Sequence, residues 1–159
     1  MILVAVGASQ FPFDRLLRAV DTLAWTEPLV VQHGPSTIRP SRARCVPFMP
    51  PQRLADLVRE SRVVITHAGV GSILLAVANG KRPYVVPRRR AFGETVDDHQ
   101  VESARRFAQA GLVTFVEDPD GLEAALREAD DAPLPAPNGE SPLVRELRTY
   151  LATAANGTL

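Results

Sequence analysis

The sequence predicts an α/β fold: a Rossmann-like, doubly wound parallel sheet of about six strands, followed by a C-terminal helix. Its apolar runs are short and continuous rather than alternating, as expected for strands that are buried on both faces. Helical patterns separate most of these runs, and alternating strands and helices favour a parallel sheet covered on both sides. The chain has 159 residues, of which 45% are hydrophobic and 23% charged, a composition typical of one folded domain.

The predicted strands and helices follow one another along most of the chain. Six apolar runs are the predicted strands, at residues 2–6, 28–32, 44–48, 63–67, 83–87 and 112–116. The predicted helices occupy residues 13–25, 51–60, 72–80, 97–111 and 120–129. Ser72 is the predicted N-cap of the third helix, and Gly80 and Gly111 are placed where a helix ends.

The chain divides into three predicted segments. Residues 1–130 form the α/β domain. The polar and glycine-rich turns of this domain indicate that it binds a ligand. A proline-rich linker, "DAPLPAPNGES", covers 131–141, and residues 142–159 form a separate terminal helix and tail.

Composition limits the classes of function. Eighteen basic and eighteen acidic residues balance, so overall charge gives no reason to expect nucleic acid as a partner. Cys45 is the only cysteine, and it cannot form an internal disulfide, which fits a reducing compartment. The opening "MILVAV" is too short for a signal peptide, and no apolar run reaches the ~20 residues of a membrane span. We therefore expect a cytoplasmic protein that meets a membrane only through a partner.

Polar and glycine-rich turns follow several of the predicted strands. "THAGVGS" at 66–72 and "GASQ" at 7–10 follow two strands, and the long polar segment "RRRAFGETVDDHQ" at 88–100 follows another. In a doubly wound sheet these turns meet beyond the carboxyl ends of the strands, where ligands bind. Glycine lets the backbone approach a ligand, and a helix N-terminus attracts anions. The pattern predicts a site for a phosphorylated, polyhydroxylated ligand.

The segments "VAVGASQFPFDRLLRAVD" and "VVITHAGVGSILLAVANGKRPYVVPRRRAFGETVDDHQVESA" resemble the C-terminal, donor-binding domain of family 28 glycosyltransferases. The resemblance is greatest to the stand-alone form of that domain. This form is the catalytic subunit of a two-part UDP-sugar glycosyltransferase that acts on dolichol diphosphate or, in bacteria, in exopolysaccharide synthesis. It implies the C-terminal half of a GT-B fold, a metal-independent reaction and no cofactor.

The resemblance also implies roles for individual residues. His67 would stabilise the leaving diphosphate as a cationic donor, beside a cradle made of Gly7, Ala8, Ser9, Gly69, Gly71 and Ser72. Phe48 and Met49 would hold uracil, and His99 and Gln100 would bind the donor sugar. A membrane-associated partner would supply the acceptor site and the general base, which is not evident in this chain. GlcNAc, glucuronic acid and galactose donors are all compatible.

One position departs from the family pattern. The family usually has a glutamate that binds the ribose hydroxyls where this chain has Leu75, and a leucine side chain cannot accept a hydrogen bond. Glu94, in the polar segment, is a candidate replacement. Adjacent Asp97 and Asp98 are interpreted as partners of a helix dipole rather than metal ligands. The run from Arg88 to Arg90 is interpreted as solvated, and the alternative is that one arginine contacts the donor diphosphate or an acidic sugar and another contacts a partner or a lipid diphosphate.

Two alternative functions remain open at this stage. "GVGSIL" at 69–74 is close to the dinucleotide-binding pattern G-x-G-x-x-G, and nearby arginines could hold a 2′-phosphate, which would suggest an NADP-dependent oxidoreductase. The third glycine is missing, however, and the motif follows the fourth strand rather than the first. A non-catalytic regulatory or scaffold subunit with the same fold is the other alternative, because a fold alone does not guarantee chemistry.

Overall fold

The computed structural model describes residues 1–128, which form a six-stranded parallel sheet flanked by helices. The strands are β1 (Ile2–Ala5), β2 (Leu29–Gln32), β3 (Ala43–Val46), β4 (Val63–His67), β5 (Tyr84–Val86) and β6 (Thr114–Phe115). The helices are α1 (Asp14–Thr22), α2 (Pro51–Glu60), α3 (Val70–Ala78), α4 (His99–Gln109) and α5 (Leu122–Glu128). The strand order across the sheet is β3-β2-β1-β4-β5-β6, and every pairing is parallel. The predicted fold class is confirmed.

Both faces of the sheet are covered, which explains why the strand sequences are continuously apolar. In β1, Ile2 and Val4 face a cluster that includes residues of α1 and α5, such as Leu16 and Leu122. Leu3 points to the opposite face, where it joins a cluster with Leu57 of α2. Successive side chains of a strand point to opposite faces, so a strand buried on both faces has no position left for a solvated polar side chain.

The glycines that were predicted to end helices do so, whereas α1 ends at Thr22, three residues before the predicted end, and the start of α3 differs from the prediction. Gly80 and Gly111 have φ angles of +72° and +74° and follow α3 and α4, as expected of glycines that end helices. The helix α3, however, begins at Val70 with Gly69 as its N-cap, so the prediction that Ser72 is the N-cap is wrong. The helix begins two residues before the predicted range of 72–80, its N-cap lies three residues before Ser72, and the small Gly71 lies in its first turn.

The proposed linker at 131–141 and the terminal helix and tail at 142–159 lie outside the described residues. None of the helices within residues 1–128 is long and apolar enough to cross a membrane.

Candidate functional site

The site lies where the order of the sheet reverses. Strands β1 and β4 are neighbours, and the chain proceeds from β1 toward β3 on one side and from β4 toward β6 on the other. A crevice forms at such a point beyond the carboxyl ends of the strands. The turn that begins at Gly7 leaves β1 there, and the turn from His67 to Gly69 leaves β4. The two predicted glycine turns are therefore adjacent.

The side chain of His67 fills the space between these two turns. A Cβ atom at Gly7 would lie 2.6 Å from Cε1 of the His67 ring, and one at Gly69 would overlap its Nε2 atom. Gly7 also has a φ angle of +84°, a conformation that other residues rarely adopt. The two glycines thus have a role that the sequence did not reveal, because their missing side chains make room for the imidazole.

Hydrogen bonding and burial define the state of His67. The Thr66 hydroxyl donates to the carbonyl of Ala5 at 2.9 Å and lies 3.3 Å from Nδ1 of His67. Since the Thr66 proton is already used, Nδ1 is the nitrogen that carries the hydrogen, and Nε2 has a free lone pair. Burial of the ring and the positive charge of Arg88 lower the pKa of His67 to about 4. With this pKa the ring is uncharged at neutral pH in the unliganded protein, and its expected role as a cationic donor to a bound diphosphate stays a prediction.

Gln32, a residue that sequence reasoning missed, fixes the Gly7 turn. The main-chain N–H of Gly7 donates to Oε1 of Gln32, and Nε2 of Gln32 donates back to the Gly7 carbonyl, both at 3.0 Å. Nε2 also donates to the carbonyl of Pro47 at 3.2 Å. The Gly7 N–H is therefore occupied, and Gly7 shapes the turn rather than offering a donor. The sequence feature that could have indicated Gln32 is its position as a polar residue at the end of the apolar run "PLVVQ".

Several main-chain N–H groups remain free around His67. Within residues 1–128, the N–H groups of Ala8 and Ser9 have no acceptor. The first N–H groups of a helix also lack partners in the helix, which applies to Val70 and Gly71 of α3. Ser72 donates its N–H to the Gly69 carbonyl at 3.1 Å. Free N–H groups at the positive end of a helix make an anion site.

The predicted uracil and ribose positions lie in different environments. Phe48 follows β3 and has 61% of its surface exposed, whereas Met49 is buried in the cluster between the sheet and α2. Only the side chain of Phe48 is therefore available for stacking. Leu75 is partly buried against the same cluster as Met49, so its side chain contributes to the core.

Glu94 is buried and bonded within the domain, which does not favour its predicted role as a ribose ligand. Its side chain is 5% exposed, and its carboxylate accepts two hydrogen bonds from Arg15, at 3.0 and 2.9 Å. The main-chain N–H of Arg89 donates to the same carboxylate at 3.0 Å. These three hydrogen bonds engage both oxygens of the buried carboxylate.

The predicted donor-sugar residues are neighbours at the start of α4. The side chain of His99 is 83% exposed, while Oε1 of Gln100 accepts from the main-chain N–H of Arg88 at 3.2 Å. Asp97 and Asp98 accept hydrogen bonds from the N–H groups of His99 and Arg90, so both carboxylates fix the backbone. Among residues 1–128, no group of three His, Cys, Asp or Glu side chains could hold a metal ion.

The arginine run is not a solvated segment as a whole. Arg88 is 1% exposed and is the largest fully buried side chain among the described residues. Burial lowers its pKa to about 10, which still leaves it protonated at neutral pH. Arg89 instead forms an ion pair with Glu117 at 3.2 Å. Three adjacent arginines look alike in a sequence, and only the packing distinguishes them.

The parallel sheet, its strand order and the helices on both faces define a Rossmann-like α/β domain. The protein family can be stated more closely. The glycosyltransferase family 28 C-terminal domain matches residues 1–142. The chain belongs to this family, and the resemblance on which the site predictions rest is confirmed at that level.

Solved structures have the same fold. CalG4, the calicheamicin glycosyltransferase, is similar over 93% of this chain, with 18% identity and a TM-score of 0.60. MurG from Acinetobacter baumannii is similar over 80% of the chain, with 20% identity and a TM-score of 0.55. The similar region covers 37% of CalG4 and 41% of MurG, so this chain spans about two fifths of each of these proteins. No curated protein sequence matches significantly.

Proposed function

We propose that this chain is the donor-binding, catalytic subunit of a UDP-sugar glycosyltransferase. It would transfer a hexosyl residue, such as GlcNAc or a related sugar, to a lipid-linked or polysaccharide-precursor acceptor. The observation that carries the proposal is the pair of turns around His67, which brings free N–H groups of the β1–α1 turn and of the α3 N-terminus to the crevice of the sheet. Membership in the family supports the same ligand.

The proposed reaction exchanges two bonds at the anomeric carbon of the sugar. The bond from that carbon to the diphosphate oxygen breaks, and the acceptor hydroxyl oxygen forms the new bond. Negative charge accumulates on the departing UDP, where preorganised N–H groups and a helix dipole stabilise it. Nε2 of His67 lies among these groups, and an arriving diphosphate would favour its protonation. The proton of the acceptor hydroxyl goes to a base outside this chain.

The acceptor site is proposed to lie in a partner polypeptide. The similarity to CalG4 and MurG covers about two fifths of each of those glycosyltransferases, and nothing in residues 1–128 provides a second lobe facing the donor crevice. A membrane-associated partner would hold the acceptor and bring this chain to the membrane. Phe48 and Phe92, which have 61% and 57% of their surfaces exposed, are available to contact the nucleotide or the partner.

Calorimetric titration of the purified chain with UDP tests the proposal directly, with NADPH as the control ligand. We expect UDP to bind and NADPH not to bind. The variant His67→Ala should bind UDP about tenfold more weakly or worse, which corresponds to about 1.4 kcal/mol, because the ring both lines the site and keeps the two turns apart.

Binding of NADPH instead of UDP would contradict the proposal. If neither ligand binds, co-purification from the native host followed by the same titration on the complex decides whether a partner completes the site. A complex that transfers sugar equally well with His67→Ala and Gln100→Ala would favour a scaffold subunit.

A further inference from the structure

The buried guanidinium of Arg88 connects two loops that border the donor site. Its Nη2 atom donates to the carbonyl of Val6 at 2.8 Å, immediately before the β1–α1 turn. Its Nη1 atom donates to the carbonyls of Phe11 and Pro12 at 2.9 and 3.2 Å, immediately after that turn. One side chain from the end of β5 therefore holds both ends of the segment 7–10, which carries the free N–H groups of Ala8 and Ser9.

The same residue fixes the loop that leads to α4. Nη1 of Arg88 also donates to the main-chain carbonyl of Glu94 at 3.0 Å, and the Arg88 N–H donates to Oε1 of Gln100. The face of the guanidinium lies 4.8 Å from the centre of the Phe13 ring. These contacts fix the plane of the group from several directions, which a planar fork of donors can do and a single ammonium cannot.

We propose that Arg88 is the positioning residue of the donor site, holding the β1–α1 turn in its ligand-binding conformation before the ligand arrives. The proposal rests on the proposed function, because the turn is taken to bind the donor diphosphate. Arg88 is 1% exposed and sits beneath the turn, so it acts on the ligand through Ala8 and Ser9 and makes no contact of its own.

The conservative variant Arg88→Lys tests this role. Lysine keeps the positive charge and most of the volume but cannot reach carbonyls on both sides of the turn with the same geometry. We expect UDP to bind about tenfold more weakly, because the turn must then be ordered during binding. We also expect the ¹⁵N order parameters of Ala8, Ser9 and Gln10 to fall from about 0.85 to below about 0.6 in the absence of ligand.

Two control variants separate this effect from a general loss of stability. Arg89→Lys makes the same change at the adjacent position, whose side chain pairs with Glu117, and should leave UDP affinity and the order parameters unchanged. Leu57→Ala removes a core side chain beneath α2 and should lower the melting temperature without changing UDP affinity. Loss of affinity in Leu57→Ala equal to that in Arg88→Lys would overturn the proposal.

The remaining outcomes are equally decisive. Wild-type affinity and a rigid turn in Arg88→Lys would overturn the positioning role. Should this variant fail to fold, the order parameters of the unliganded wild-type turn decide, since values below about 0.6 are incompatible with a turn that is held in advance. If neither the isolated chain nor its complex with a partner binds UDP, the proposed function fails. The order parameters of Ala8, Ser9 and Gln10 in wild type and Arg88→Lys still test whether Arg88 holds the β1–α1 turn.

Discussion

The surroundings of His67 determine both the position of its ring and its protonation state. Its ring occupies the space left by the missing side chains of Gly7 and Gly69, and burial together with the nearby Arg88 charge lowers its pKa to about 4 from the usual 6.5. The uncharged imidazole is then compatible with the buried arginine beneath the site. A positive charge on the ring becomes favourable only when an anion is close enough to offset that repulsion.

The lowered pKa of His67 predicts how stability depends on pH. Below pH 6.5 the unfolded chain binds a proton at this residue that the folded chain does not bind, so the free energy of unfolding falls as the pH falls. The loss ends near pH 4, where the folded ring is protonated as well. Between pH 7 and pH 5 the contribution is about 2 kcal/mol, measurable by urea unfolding.

The variant His67→Gln isolates this contribution. Its free energy of unfolding should decrease less than that of the wild type over the same pH interval, while the other titrating groups act equally in both proteins. The interpretation would be wrong if the two proteins lost the same amount of stability between pH 7 and pH 5.

At the scale of structural elements, the site depends on how the ends of neighbouring strands are connected. The amide of Gln32, at the end of β2, exchanges two hydrogen bonds with Gly7 after β1 and donates a third to Pro47 after β3. The residue is 4% exposed, so these bonds are made away from water. The amide holds the ends of three adjacent strands in one arrangement, and the position of the Gly7 turn follows from it.

The substitution Gln32→Leu tests this connection. Leucine is of similar size but leaves the N–H of Gly7 and two carbonyls without their partner, so we expect a loss of about 1–3 kcal/mol in the free energy of unfolding. The same substitution at Gln52, whose amide contacts Asp56 on the exposed surface of α2, should change stability by no more than about 0.5 kcal/mol. Denaturant titration of both variants measures the difference, and equal values would refute the role of Gln32.

At the scale of the whole molecule, charged side chains connect distant parts of the chain around Glu94. Arg15 on α1 forms an ion pair with Glu94 at 2.9 Å and another with Asp118, which precedes α5, at 3.3 Å. Nη2 of Arg15 also donates to the Pro87 carbonyl at 3.1 Å. The loop after β5 is thereby attached to the first helix and to the segment that precedes α5.

Removing the negative charge of Glu94 should lower the stability of the domain. The variant Glu94→Gln removes the carboxylate that pairs with Arg15 and whose negative charge favours the charged form of the buried Arg88, and breaking a buried pair costs about 3 kcal/mol. The variant Glu102→Gln removes an exposed charge that pairs with Arg106 on α4, and such pairs contribute less than about 1 kcal/mol. Thermal unfolding compares the two variants, and a cost for Glu94→Gln no larger than that for Glu102→Gln would contradict the structural role.

The fold was predictable from the sequence because a buried strand has apolar residues at consecutive positions, and this pattern can be read locally. The inner strands β1 and β4 are buried on both faces and read as unbroken apolar runs, "ILVAV" and "VVITH", and glycines mark the ends of α3 and α4. The start of α3 was placed two residues late. Serine favours the N-cap position, but this local preference did not decide where the helix begins. The N-cap residue lies against the His67 ring, where only a glycine fits, and that residue is Gly69.

The sequence by itself determined the doubly wound sheet and the edge at which the polar turns converge, since both follow from periodicity and the order of elements. Only the tertiary structure decided which polar groups are free. It made Glu94 and Arg88 internal supports, made Gln32 the partner of Gly7, and left His67 uncharged. These assignments depend on contacts between residues far apart in the chain, because hydrogen-bond partners and desolvation are fixed by packing.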